Sequence, residues 1–110
     1  MGDRRSIGEF EELVLLSILQ VGEGAYGVPI LEEIRRRTGR SVLRAAVYVA
    51  LSRLEEKGLV SSSSETAGAE RGGRRRKCYR VEREGMEALR ESRQALLSMW
   101  DGLEAVLDEG

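Results

Sequence analysis

The chain has no histidine among its 110 residues, and only one cysteine, one proline, one phenylalanine and one tryptophan. Each scarcity excludes something. Without histidine, the usual general base and the commonest metal ligand are both missing. A single thiol, Cys78, builds neither an ordinary zinc site nor an internal disulfide. Carboxylates are plentiful, but they fall at spacings that solvate helix faces. We therefore expect no enzyme, no cofactor and no metal. No apolar run approaches the ~20 residues of a membrane span, and the stretch from Met1 to Ser6 lacks the apolar segment of a signal peptide. With one unpaired cysteine, a reducing, cytoplasmic setting fits.

What is present is charge, and it is sorted. The molecule is nearly neutral overall, with 18 basic and 19 acidic side chains. Yet Arg35 to Arg83 holds 14 Lys/Arg against 5 Asp/Glu, a local net of +9, while the segments before and after it hold 2 basic and 7 acidic groups each. A basic middle between acidic ends makes a directed positive field whatever the pI, and nucleic acid is the commonest reason to build one.

The length suits one domain with a modest core. Apolar spacing predicts a helix over Glu9 to Val21, with Phe10, Leu13, Val14, Leu16, Ile18 and Leu19 as its apolar residues and Ser6 or Gly8 as cap. A second is expected from Val28 to Thr38, with Pro29 in its first turn, Ile30, Leu31 and Ile34 inward, and Gly39 as its end. A third runs from Leu43 to Lys57, capped by Ser41, with Val47, Ala50, Leu51 and Leu54 buried. Leu59 to Ser64 and Lys77 to Val81 read as strands around a loop from Glu65 to Arg76. A last helix, about 36 Å long, is expected from Glu84 to Leu107. The expected fold is thus mainly α with a small β-hairpin: a winged helix-turn-helix carrying a long C-terminal helix.

Three local features bear on function. The run from Gly22 to Gly27 matches G-x-G-x-x-G, but a helix precedes it where a dinucleotide site needs a strand, so it reads as a turn. From Arg71 to Lys77, five of seven residues are cations and two are glycines, a composition suited to a phosphate backbone or a narrow minor groove. The DNA-contact candidates are accordingly Arg40, Ser41, Arg44, Ala45, Tyr48 and Arg53 around the third helix, with Arg71, Arg74, Arg75 and Arg76 in the loop. The final helix carries Met86, Leu89, Arg93, Leu96, Trp100, Leu103 and Leu107 at alternating steps of three and four, the seam of a helix that packs along another helix. These are the dimer-interface candidates.

Leu13 to Leu19, Ala25 to Ile30, Ala46 to Val60 and the wing-like Gly72 to Val81 together resemble the PadR family of bacterial transcriptional regulators, over nearly the whole chain. Cys78 stands where that family often has an aromatic residue, and Glu82 where it often has threonine. The resemblance implies a dimeric DNA-binding protein of the short type with one C-terminal helix, usually a repressor and often relieved by a small molecule. Trp100 is the one candidate effector contact. On this reading residues 1–82 are the DNA-binding domain and 83–110 the dimerisation helix. The partners are double-stranded DNA, a second copy of the chain and a small-molecule effector, with no membrane. Two-fold symmetry then predicts a pseudo-palindromic operator. The rival reading is a winged-helix module that binds protein and not DNA.

Overall fold

The computed structural model describes residues 6–66 and 75–108, with the side chains of Thr66 and Arg75 outside the description. In chain order the elements are α1 (Glu9–Val21), α2 (Gly27–Thr38), α3 (Arg44–Glu56), β1 (Val60–Thr66), β2 (Arg75–Val81), α4 (Arg83–Trp100) and α5 (Glu104–Asp108).

The helix ends follow from local chemistry. At the start of α1 the Gly8 amide donates to the Glu11 carboxylate at 3.2 Å, and Glu9, Glu11 and Glu12 sit at the positive end of the helix dipole. α2 closes on Gly39 in the left-handed region (φ 70°), behind Arg35, Arg36 and Arg37 at its negative end. α3 departs from expectation. Its cap is Leu43, not Ser41, and no side chain caps it. The reason is tertiary: Val42 is buried, and its carbonyl accepts a 2.9 Å bond from Arg35 Nη2, which holds the chain extended past Ser41.

The core sits where α1, α2 and α3 meet. Val14, Leu15, Ile30, Ile34, Val47, Leu51, Leu54 and Leu59 are essentially inaccessible to solvent. Each such aliphatic side chain contributes about 1.5–3 kcal/mol when fully buried. The inward residues expected of α2 and α3 are all buried. On α1, Val14, Leu15, Ser17 and Ile18 are buried, whereas Leu16 and Leu19 are exposed. α1 is apolar on more than one face, so spacing alone did not single out the inward one.

β1 and β2 form a two-stranded antiparallel sheet, in register from Val60↔Val81 to Thr66↔Arg75. The hairpin arms are therefore longer than expected, since pairing extends past Ser64 and back to Arg75. Glu65 lies opposite Arg76, and opposite charges across a ladder favour continued pairing. The hairpin is tied to the head by the Tyr79 amide, which donates to the Ala25 carbonyl at 2.7 Å.

α4 begins against this platform. Its cap residue Glu82 donates its amide to the Leu59 carbonyl at 2.9 Å and accepts a bond from the Ser61 hydroxyl through its carboxylate. Gly85 lies so close to Leu59 that a Cβ would collide with the Leu59 carbonyl oxygen and sit 2.7 Å from Val81 Cγ1. Ala88 and Leu89 complete the core, and the Ser92 hydroxyl donates to Glu12 of α1 at 3.0 Å. The unbroken helix expected to Leu107 is instead two helices. α4 stops at Trp100; Gly102 takes φ 83°, and the Leu103 amide donates back to the Trp100 carbonyl at 2.8 Å. A left-handed residue turns the chain out of the helix, so the seam is interrupted between Trp100 and Leu103.

Candidate nucleic-acid interface

α3 presents an open face. Its inward line is Val47, Ala50, Leu51 and Leu54. Helical spacing places Ala45, Val49, Ser52 and Glu56 directly opposite, all exposed. Arg44 and Tyr48 border this line on one side, Ala46 and Arg53 on the other. Neither Arg44 nor Arg53 has an ion-pair partner among the described residues.

Tyr48 is 43% exposed, with its ring against the start of α2. A Cβ on Gly27 would lie 2.8 Å from Tyr48 Cε1 and collide with the rest of the ring edge. The last glycine of the G-x-G-x-x-G run is therefore there to admit an aromatic ring. Gly22 and Gly24 serve the turn, with φ of 82° and 75°.

The remaining candidates are placed as follows. Ser41 is exposed in the turn before α3. Arg40 shares that turn, but its guanidinium grips Glu9 in two bonds, Nη1–Oε1 at 3.1 Å and Nη2–Oε2 at 2.7 Å. This hydrogen-bonded charge pair holds the Glu9 carboxyl below the ordinary carboxylate range and raises Arg40. Arg76 stacks over the Tyr26 ring, 4.4 Å from its centroid, and so docks the hairpin onto the turn before α2. Arg71 and Arg74 lie outside the described residues, as does the Arg75 side chain.

Lys77, counted in the cationic run from Arg71 but not among the named DNA-contact candidates, bridges the hairpin to α3 through Glu55 at 3.3 Å. Glu55 is held below the usual carboxylate range, first by the Ser62 hydroxyl at 2.6 Å and then by Lys77. Cys78 is buried, and burial pushes its thiol up, away from the reactive thiolate. Val49 was also missed. It is 52% exposed, and its position two residues from Val47 gave the signal that it faces away from the core.

On the seam, Leu89 is buried within its own head and Met86 packs against the same core. Arg93, Leu96, Trp100, Leu103 and Leu107 are exposed. Among the described residues no cluster of three or more metal-binding side chains occurs, and no helix is long and apolar enough to cross a membrane.

Three helices, a paired hairpin docked against them and an open third helix define a winged helix-turn-helix of the transcription-regulator class. The profile of the transcriptional regulator PadR-like family matches residues 15–91, more than half of the chain. The chain belongs to this family, whose members are transcriptional regulators and not enzymes.

Solved structures agree. A PadR family transcription regulator from Clostridium difficile R20291 is 28% identical, with 91% of this chain and 96% of that chain covered and a TM-score of 0.67. One from Eggerthella lenta DSM 2243 is 29% identical, with 93% and 88% covered and a TM-score of 0.67. A PadR-like regulator from Bacillus cereus strain ATCC 14579, 24% identical with 92% of each chain covered and a TM-score of 0.71, shares the fold. A comparison with curated proteins gives no match.

Proposed function

We propose that this regulator binds duplex DNA sequence-specifically as a homodimer, acting as a repressor on a pseudo-palindromic operator and released by a small molecule. The observation that carries the reading is the open face of α3, flanked by the exposed Arg44 and Arg53, in the most basic stretch of the chain. The N-terminal end of α3 enters the major groove, while the hairpin lies on the backbone or in the adjacent minor groove. Arg44, the first residue of α3, reaches a base edge. The exposed Leu96, Trp100, Leu103 and Leu107 favour pairing with a second copy, which sets the distance between two heads. The exposed Trp100 is the side chain in that pairing that a flat effector would stack on.

Salt dependence of duplex binding is the test. Affinity should fall steeply with salt, and Arg74→Ala with Arg75→Ala should flatten the log–log slope by about 0.9 for each phosphate that is no longer neutralised. Arg44→Ala should cost about 1–3 kcal/mol on a selected sequence and less on random duplex. A flat salt response in the parent chain would overturn the reading and favour a protein-binding module.

A further inference from the structure

We propose that Ala45 and Val49 read thymine methyl groups in the major groove. The inference rests on the DNA-binding reading above and names how this chain achieves specificity. The most outward line of α3 is Ala45, Val49, Ser52 and Glu56. In its first two turns that line bears no long hydrogen-bonding side chain.

Valine is a poorer helix former than alanine, and the open groove that Val49 lines with Ala45, Ala46 and Phe10 of α1 leaves about half of it uncovered. Val49 nevertheless stands 52% exposed, one turn from the exposed Ala45. Charge selects the occupant of this face. Arg44 and Arg53, both exposed cations, flank the apolar pair and suit a polyanionic groove, and Glu56 comes only at the far end of the helix. The first two turns therefore enter and the carboxylate stays at the mouth. The one base-edge group in the major groove that an alkyl side chain recognises is the thymine C5-methyl. Arg44 supplies the hydrogen bonds beside it. A shared, water-excluding contact between methyl groups discriminates thymine from cytosine without any polar partner.

A binding sequence is first selected from random duplex with the full chain. Each thymine of one half-site is then replaced by deoxyuridine, which removes only the methyl group. The parent protein should lose roughly fourfold in affinity at the thymines facing α3, the worth of one buried methyl expressed as a ratio. Val49→Ala should bind the unmodified site more weakly and lose less than about twofold at one of these thymines, the one facing position 49, while the thymine facing Ala45 keeps its sensitivity. The variant's affinity for random duplex should fall by less than its affinity for the selected site. Selective binding that ignores deoxyuridine throughout the half-site, or a Val49→Ala protein with the parent's sensitivity at every thymine, would sink the methyl contact and leave the DNA-binding reading standing. Failure to select any sequence, with no salt-dependent duplex binding, removes both.

Discussion

In the first two turns of α4, Gly85, Ala88 and Leu89 are buried; in its last two, Leu96, Leu97, Met99 and Trp100 are all more than 40% exposed. The three-and-four spacing runs through both, with Arg93 as its one charged member. What differs is the neighbour. The first half has the Leu59 carbonyl, Val81 and the outer side of α1 to lie against, and a glycine that lets it approach. The second half has left the head. Helical spacing therefore says that a face wants covering, and only the tertiary arrangement says what covers it.

Truncation sharpens the contrast most. Leu51→Ala, in the inaccessible core, should cost about 2–5 kcal/mol in chemical denaturation. Leu96→Ala on the outer half should barely change the stability of the head. Next in size, Gly85→Ala should cost about 1–3 kcal/mol, because the added methyl meets backbone that cannot move aside. A neutral Gly85→Ala would mean that the first half of α4 sits less tightly than described. The smallest effect on the head comes from Leu96→Asp with Leu103→Asp, within about 0.5 kcal/mol where the chain is monomeric. The same pair should turn a dimer into a monomer in sedimentation at micromolar concentration and shift the emission of Trp100, the only tryptophan, to the red. A parent chain that sediments as a monomer there breaks the proposed pairing.

Much of the head was legible from sequence. Ile30, Leu31 and Ile34 on α2, and Val47, Ala50, Leu51 and Leu54 on α3, lie on single helix faces, so spacing alone found them. α1 was harder, because leucines surround it and the inward side is chosen by what α2 and α3 bring. Arg40 was legible as a cation but not as one held by Glu9, 31 residues away. The break after Trp100 had a local signal, Asp101-Gly102, which the regular seam outweighed although glycine readily leaves a helix. Val49 was overlooked because an apolar residue on an amphipathic helix reads as core until the opposite face is traced.

The short bond between the Tyr79 amide and the Ala25 carbonyl has a bearing on solubility. A two-stranded sheet has two outer edges, and an exposed edge invites another chain to add a strand. At Tyr79 the outer edge of β2 is already engaged by the turn before α2, and Arg76 folded over Tyr26 covers the position beside it. The opposite edge, β1, carries Ser61 to Ser64 and Glu65, side chains that make a weak template for adding strands. The described part of the hairpin, from Val60 to Thr66 and from Arg75 to Val81, thus offers a poor edge for strand addition.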